Sequence, residues 1–242
     1  MQTPLSPTPR SAPKRHTDRA LTDRQALHAV LDEALVCHLG VVVDGEPLVV
    51  PTAFGYDRAG SDEGGTLYLH GSVASRSLRQ SENSQICVTV TLLDGLVLAR
   101  SGFHHSMNYR SVVVRGRARA VSDHEERRRA LDLIVDHAVP GRSATLREPL
   151  RRELAATTVV ALPLHEASVK TRTGPPLDDD DDVSTGAWAG VVALAPAVRG
   201  VQADRYADGV VEVPSHVQAR VAQLAGASTR FVDTVLTGDE SR

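Results

Sequence analysis

Aromatic residues are scarce in this sequence: Phe, Trp and Tyr make up 3% of its 242 residues, whereas hydrophobic residues as a whole make up 41%. The hydrophobic fraction consists mainly of Val, Ala and Leu, and β-branched side chains are favoured in strands. This composition argues against a helical bundle. The chain is long enough to bury a substantial core, and we expect that core to be built mainly from strands.

The sequence also lacks an excess of positive charge. It has 27 Lys and Arg against 30 Asp and Glu, a formal net charge of −3. A protein that binds duplex nucleic acid neutralises phosphates with a basic surface. We therefore expect no nucleic-acid partner.

Cysteine is nearly absent, and no long hydrophobic run is present. Cys37 and Cys87 are far apart, have no CxxC spacing and lie in apolar, strand-like surroundings. This pattern favours buried, reduced thiols over a disulfide, and with no secretory segment it predicts a cytoplasmic protein. No apolar run approaches the ~18 residues of a membrane-spanning helix, so we expect no membrane partner.

The chain divides into three predicted parts. Residues 1–16 are basic and rich in Pro, Ser and Thr, which predicts a disordered tail. Residues 17–200 form the main domain, and residues 201–242 are a C-terminal extension with a helix. Within the domain, "TDRQALHAVLDEAL" predicts a helix capped by Thr22 or Asp23.

Strand-like segments with turn signals follow this helix. Asp44-Gly45 predicts a hairpin between "VCHLGVVV" and "PLVVPTAFGYD", and Pro47 favours an edge position. "TLYLHG" is a third strand, and "VASRSLRQS" is a short helix. Asp94-Gly95 predicts that "QICVTVTLLDGLVLAR" contains two strands. "YRSVVVRGRARAVS" is another strand, with alternating arginines at 115, 117 and 119 on an exposed face.

The second half of the domain contains helices and a closing strand. "DHEERRRALDLIVDHAV" and "ATLREPLRRELAAT" predict helices, "TTVVALPLHEASVKTRTG" a strand, and the acidic "LDDDDDV" a solvated loop rather than a cation site. No GxGxxG motif or P-loop is present. We predict a mainly β protein, an antiparallel, Greek-key-like β-barrel decorated by α-helices.

Three polar clusters interrupt the apolar pattern. In "HGSVASRS", the turn at Gly71, the serine hydroxyls and the Arg76 guanidinium suit a phosphate, although a capped surface turn has the same composition. In "ASVKTRTGPP", Lys170 and Arg172 share a strand face and are available either to an anion or to solvent. The third cluster, "HHSMNYRS", contains adjacent histidines. On a strand, His104 and His105 point to opposite faces and do not share an ion, so we predict no metal site.

Five segments occur together in an order that resembles the pyridoxamine 5′-phosphate oxidase-like family. They are "PLVVPTAFGYD", "LYLHGSVASRSLR", "NYRSVVVRGRA", "KTRTGPP" and "WAGVVAL", and the resemblance covers roughly residues 15–200. It is strongest to the branch of flavin-nucleotide-binding proteins related to nitroimidazole-resistance proteins. The resemblance implies an FMN-binding split barrel that forms homodimers, with FMN at the subunit interface.

The resemblance also implies a set of cofactor-binding residues. One group lines the isoalloxazine ring: Pro51, Thr52, Ala53 and Phe54. A second group surrounds the phosphate: His70, Gly71, Ser72, Ser75, Arg76 and Ser77. A third group supplies further contacts: Tyr109, Arg110, Ser111, Lys170 and Trp188.

Three functions are compatible with these residues. The first is an FMN-dependent oxidoreductase acting on a small molecule, with NAD(P)H as a possible donor and no side chain that stands out as catalytic. The second is a haem-binding or haem-modifying protein on the same barrel, with His70, His104 or His105 as the axial ligand. The third is a flavin carrier or sensor without turnover.

Overall fold

The computed structural model describes residues 5, 8–12, 14–207 and 212–237, with side chains described up to residue 226. Contacts divide the chain into two compact units. Unit 1 contains Met1–Leu92 and Ser111–Lys170, and unit 2 contains Leu93–Arg110 and Thr171–Arg242. The predicted division at residues 16 and 200 follows different boundaries and stays a prediction.

The helices have the following bounds: α1 Arg24–Glu33, α2 Arg76–Ser81, α3 His124–Ala138, α4 Arg151–Ala155, α5 Asp180–Val183 and α6 Ser215–Thr237. The strands are β1 Ala20–Leu21, β2 Cys37–Val43, β3 Glu46–Thr52, β4 Phe54–Asp57, β5 Thr66–Ser72, β6 Gln85–Leu98, β7 Ser106–Arg117, β8 Arg119–Ala120, β9 Thr157–Pro163, β10 Glu166–Arg172 and β11 Gly190–Ala193.

These strands form two mostly antiparallel sheets. The larger sheet has the order β1-β10-β7-β6-β2-β3, with β11 paired to β6, and the smaller has the order β4-β5-β9-β8. Neither order closes on itself among the described strands, as expected for a split barrel. The prediction of a β-barrel decorated by helices is confirmed.

Several local predictions are confirmed by the caps and turns. Asp23 caps α1, and its Oδ1 accepts a hydrogen bond from the Gln25 amide at 2.9 Å. Asp44 and Gly45 both have positive φ, 52° and 86°, which is the geometry of a two-residue hairpin turn. Strand β3, which contains Pro47, lies at a sheet edge.

The predicted turn at Asp94-Gly95 is wrong, because β6 runs through both residues. Neither residue has the positive φ that a tight hairpin turn needs. The Asp94 side chain is 5% exposed and accepts hydrogen bonds from Arg110 at 2.8 and 3.0 Å. This pairing satisfies the carboxylate inside a strand, which the dipeptide alone does not reveal.

Two segments predicted as single strands cross between the sheets instead. "PLVVPTAFGYD" divides at Ala53 into β3 of the larger sheet and β4 of the smaller one. "TTVVALPLHEASVKTRTG" likewise divides into β9 and β10. Of the predicted helix "ATLREPLRRELAAT" only α4 is regular, since Pro149 restricts the residue before it. Part of the acidic loop forms the short helix α5.

The core of unit 1 lies against α1 and between its strands. Leu27, Leu31, Phe54, Leu67 and Leu69 are almost fully buried there. A second cluster packs α3 against the smaller sheet through Ala130 and Ile134. Both cysteines are free; Cys37 is buried, whereas Cys87 is partly exposed, and burial raises the pKa of the Cys37 thiol to about 12.

Arg119 departs from the predicted exposed face of its strand. The chain leaves the larger sheet at the buried Ala118, and Arg119 begins β8 of the smaller sheet. Its guanidinium donates to both Asp62 oxygens at 2.8 and 3.1 Å, and to both Glu126 oxygens at 2.5 and 2.9 Å. Because the chain changes sheets here, Arg119 does not lie on the exposed strand face with Arg115 and Arg117 but binds two carboxylates in a charge network.

We expect Arg119→Met to lower the free energy of unfolding by about 2–3 kcal/mol at pH 7, because two carboxylates lose their cation in a partly buried site. Hydrogen bonds from Arg119 lower the pKa of Glu126; burial raises the pKa of Asp62, but Arg119 and Thr66 outweigh it and the net shift is downward. A carboxyl group whose pKa is lower in the folded than in the unfolded protein stabilises the fold at pH values above its unfolded-state pKa. This stabilisation is lost as the pH falls through its folded-state pKa.

The difference between wild type and variant should therefore shrink as the pH falls below the ordinary carboxyl values of 3.8 and 4.5. Urea unfolding at several pH values from neutral to strongly acidic measures it. Arg115→Met, at an exposed position on β7, is the control and should change stability by about 0.5 kcal/mol or less. An Arg119→Met deficit that does not change with pH would contradict the charge network.

Candidate functional site

Residues 70–77 form a polar loop where β5 ends and α2 begins; we call it the 70–77 loop. Its backbone turns at Ser72, whose carbonyl oxygen accepts from the Ser75 amide at 2.8 Å. Ser75 caps α2. A Cβ atom at Gly71 would lie 2.7 Å from Cδ1 of Leu78, so glycine allows α2 to pack close to β5. The short predicted helix after this turn is confirmed.

The 70–77 loop presents hydroxyl groups and one guanidinium. Ser75 Oγ and Ser77 Oγ are 3.0 Å apart, and Ser72 Oγ accepts from the Ala74 amide at 3.2 Å. The Arg76 side chain is 67% exposed and forms an ion pair with Asp44 of the β2–β3 hairpin. These donors suit an oxyanion, but Asp44 competes with any anion for Arg76.

The His70 side chain is partly buried, unlike that of a surface histidine. Its Nδ1 atom is buried and has no hydrogen-bond partner among the residues that the structure describes. Burial lowers the pKa of its imidazole. Burial therefore favours the uncharged ring, which offers no positive charge to an anion.

The four residues predicted to line a ring differ in what they expose. Pro51 and Ala53 are exposed and Thr52 is partly exposed, at the end of β3 and in the link to β4. Phe54 is 1% exposed and its ring packs 4.3 Å from the ring of His137, centroid to centroid. The Phe54 side chain is thus part of the core beneath this link.

Of the third predicted group, two residues lie in unit 1. Ser111 Oγ donates to the Lys170 carbonyl at 3.4 Å, and Lys170 Nζ donates to the Arg15 carbonyl at 3.2 Å. Arg172, which was expected to share an open face with Lys170, lies in unit 2 and is buried. It donates hydrogen bonds to Asn108 and to the carbonyls of Gly174 and Pro175. It is not available to a ligand.

The others belong to unit 2. Arg110 is bound to Asp94, as described above, and Tyr109 is partly exposed. The Trp188 side chain is 69% exposed and lies over Gly190, where a Cβ would be 2.8 Å from the indole. Glycine at 190 lets the indole lie against the start of β11.

The adjacent histidines lie in the turn before β7, so the strand argument used for them does not apply. His105 Nδ1 lies 2.8 Å from the Ser101 carbonyl oxygen. A carbonyl only accepts, so Nδ1 carries the proton; in the neutral tautomer with this proton, Nε2 is the nitrogen with a lone pair. His104 Nε2 lies 3.3 Å from Asp179 Oδ2, and its ring meets the edge of Phe103.

His104, Asp179 and Asp182 bring three ligand atoms within 4.8 Å of one another. The Asp179 side chain is 80% exposed. His104 and Asp182 are partly exposed, so the group combines one histidine with two carboxylates of the acidic segment, and the absence of a metal ion stays a prediction. Its neighbour Asp178 is instead structural: its side chain is 3% exposed and accepts from the amide and the guanidinium of Arg100, each at 2.8 Å.

Sequence comparison identifies the family. The model of the family described as Pyridoxamine 5′-phosphate oxidase matches residues 23–171. The chain belongs to this family. The resemblance found in the sequence motifs is thereby confirmed, and a comparison with curated proteins gave no match.

Three solved structures relate this member of the pyridoxamine 5′-phosphate oxidase family to others. The flavocytochrome Anf3 from Azotobacter vinelandii is 38% identical, with a TM-score of 0.81 over 89% of this chain and 98% of that one. The FAD and heme binding protein from Mycobacterium smegmatis is 35% identical, with a TM-score of 0.75 over 83% and 96%. A candidate 5-nitroimidazole antibiotic resistance protein from Bacteroides thetaiotaomicron is 27% identical, with a TM-score of 0.51 over 62% and 85%.

The donor set of this pyridoxamine 5′-phosphate oxidase family member fits a flavin phosphate. The 70–77 loop offers an exposed guanidinium with serine hydroxyls on either side of it in the chain. The sequence identified this loop but missed Asp44 as the partner of Arg76. The Asp44-Gly45 turn was the available signal, because a hairpin tip projects its side chains beyond the sheet.

None of the helices in the described part of the chain combines the length and hydropathy needed to cross a lipid bilayer.

Proposed function

We propose that this protein binds a flavin through the 70–77 loop and uses it to oxidise or reduce a small molecule. The observation that carries the proposal is the exposed Arg76 guanidinium between Ser75 and Ser77, at the start of α2 in a confirmed split-barrel fold. The two relatives with 35% and 38% identity support it, since one is a flavocytochrome and the other binds FAD and heme.

In this proposal, the residues of the chain bind the flavin and orient its ring. Arg76, Ser75 and Ser77 hold the phosphate end, and the exposed Pro51 and Ala53 offer backbone and apolar surface to the ring, with Phe54 supporting the link from the core. A bound flavin supplies the one- or two-electron chemistry. The sequence prediction specified FMN; FAD presents a diphosphate to the same donors.

We expect Arg76→Ala to weaken FMN binding by about 1.5–3 kcal/mol, roughly tenfold to a hundredfold or more, because a charge-assisted contact to the phosphate is lost. Asp44→Asn should strengthen binding by a factor of about two to five, because it removes a competing carboxylate at an exposed position. Quenching of flavin fluorescence during titration measures both, and a parallel FAD titration decides which nucleotide is preferred.

Riboflavin, which has the same ring without a phosphate, is the matched ligand control, and Arg79→Ala on α2 is the matched variant. Neither Arg76→Ala nor Asp44→Asn should change riboflavin affinity, and Arg79→Ala should leave FMN affinity within a factor of two of wild type. If Arg76→Ala weakens riboflavin and FMN equally, or weakens neither, the phosphate does not lie on the 70–77 loop.

Haem binding is a second candidate function, and His105 favours it. Histidines that ligate metals usually donate their other ring N–H to a carbonyl or carboxylate, which fixes the tautomer and the ring orientation. His105 has this arrangement, with Nδ1 on the Ser101 carbonyl and Nε2 available. Phe103 and Met107, two residues away on either side, are 91% and 53% exposed and offer apolar surface to a porphyrin.

His70 and His104 are less suited to ligate a haem iron, because neither has, among the described residues, a ring N–H that donates to a carbonyl while its other nitrogen is available. Within the described part of the chain, the buried Nδ1 of His70 has no hydrogen-bond partner, and His104 presents Nε2 to Asp179. A bound haem iron would supply one-electron or oxygen chemistry. The absorption spectrum of the protein, as purified and after addition of haemin, separates the candidates: flavin bands support the first, a Soret band the second, and both together a protein that carries two groups.

We also propose a homodimer located in the cytoplasm, with NAD(P)H as the electron donor. The family resemblance supports the dimer, and the two free cysteines are compatible with a reducing compartment. Sedimentation analysis tests the dimer. Stopped-flow reduction of the flavin by NADPH tests the donor, and the absence of reduction would favour a carrier or sensor over an enzyme.

A further inference from the structure

A cleft lies in unit 1 between α3 and residues 143–153, away from the residues assigned to flavin or haem. We call it the α3 cleft. Its volume is about 620 Å³, within the range of sites that hold small organic ligands. Its apolar walls come from both segments: Leu131, Val135, Ala144, Leu146 and Pro149.

Most of the charges around the α3 cleft are already paired. Arg128 forms an ion pair with Glu148, and Arg147 binds both oxygens of Glu153 at 2.5 and 2.9 Å. Each of these two cations thus has its own carboxylate.

Asp132 differs from these groups. It lines the cleft, and its carboxylate has no hydrogen bond or ion pair within the described residues. Asp136, one turn further along α3, accepts from the amide and the hydroxyl of Ser143 at 2.7 and 2.8 Å, so it is held by a loop and Asp132 is not. Counting Arg128, Arg147, Asp132, Glu148 and Glu153, the lining carries one more negative than positive charge.

The surroundings of Asp132 disfavour an isolated carboxylate. Burial raises the pKa of Asp132, Arg128 acts in the opposite direction, and Asp136 and Glu148 raise it further. A cation placed against Asp132 would offset the cost of burying its negative charge. The two cations of the lining, Arg128 and Arg147, already form ion pairs with Glu148 and Glu153.

We propose that the α3 cleft binds an organic ammonium ion with an apolar body, with the ammonium on Asp132 and the body against Leu131, Val135 and Ala144. Because an anionic ligand would meet Asp132 and Glu148, and a fully neutral one would leave Asp132 without a cation, the charge of the ligand decides binding. This site shares no residue with the 70–77 loop and does not depend on the proposed function.

Three indole compounds of similar size test the charge requirement by isothermal titration calorimetry. Tryptamine is a cation at neutral pH, tryptophol is neutral and indole-3-propionate is an anion. We expect tryptamine to bind about tenfold more tightly than tryptophol, as one charge-assisted hydrogen bond predicts, and indole-3-propionate to bind most weakly. Equal affinities for the three, or no saturable binding of tryptamine, would overturn the proposal.

Two variants locate the site, and a third controls for charge. Asp132→Asn preserves shape and should bring tryptamine down to the affinity of tryptophol. Ala144→Phe should block the cleft to both ligands. Glu125→Gln removes an exposed carboxylate from the same helix outside the lining and should leave tryptamine binding unchanged. Tryptamine binding that survives Asp132→Asn, or that is lost equally in Glu125→Gln, would refute the assignment.

Discussion

Replacing His105 with alanine is expected to turn the sharp Soret band that forms on addition of haemin into the broad, shifted band of unligated haemin, and to leave flavin binding within a factor of two of wild type. The reason is the hydrogen bond from His105 Nδ1 to the Ser101 carbonyl, which in the neutral ring leaves Nε2 as the proposed ligand atom. Haemin titration followed by absorbance measures the loss, and FMN titration of the same sample measures the retained site.

Three further variants make this test specific to the axial bond. His104→Ala and His70→Ala should keep the Soret band. His105→Gly should lose the band and regain it when free imidazole is added, because imidazole can occupy the space of the missing ring. If His105→Ala shows the Soret band at the wild-type position, His105 is not the axial ligand. If only His70→Ala loses that band, His70 is the ligand instead.

Gly55→Ala should destabilise the protein by about 3 kcal/mol, at the upper end of the range for overpacked sites. A Cβ at this position would lie 2.7 Å from the backbone nitrogen of Ile134 and from the backbone carbon of Leu133. Backbone atoms cannot rotate away as a side chain can, so α3 would have to move from β4. We expect the thermal midpoint to fall by roughly 6–12 °C, a range that follows from ~2–4 °C per kcal/mol in chains of this size.

Gly102→Ala is the matched control for this effect. A Cβ at Gly102 meets no atom within 4 Å, and its φ is not in the left-handed region. This variant should therefore lie within about 0.5 kcal/mol of wild type. If the two alanine variants unfold at the same temperature, the close approach of β4 and α3 does not limit stability.

Local signals in the sequence predicted the elements that depend on neighbouring residues. The Asp23 cap, the Asp44-Gly45 hairpin and the short helix α2 after a Gly-Ser turn each follow from residue types within a few positions. The prediction failed at Asp94-Gly95. This dipeptide resembles a turn, but the carboxylate pairs with Arg110, which is 16 positions away.

The sites show the same division. The composition of the 70–77 loop indicated an anion site from the sequence, and the family motifs extended it to a flavin. The partner of Arg76 and the burial of Phe54 were not predictable, since both depend on where a hairpin and α3 lie. The state of His105 was also hidden, because the residue was assigned to a strand rather than to the turn that brings it to Ser101.

The sequence alone determined that this protein is a mainly β member of its family, and it predicted an anion site in the loop after β5. Those properties depend on residue types at short spacing. The tertiary structure decided which charges are paired. Arg119 lies between Asp62 and Glu126, and Arg110 lies on Asp94, whereas Asp132 forms no ion pair with any residue that the structure describes. The pairing of a charge depends on distance in space, and the fold sets that distance: Asp94 and Arg110 lie on neighbouring strands of the larger sheet, whereas Arg119 meets its partners after the chain has changed to the smaller one.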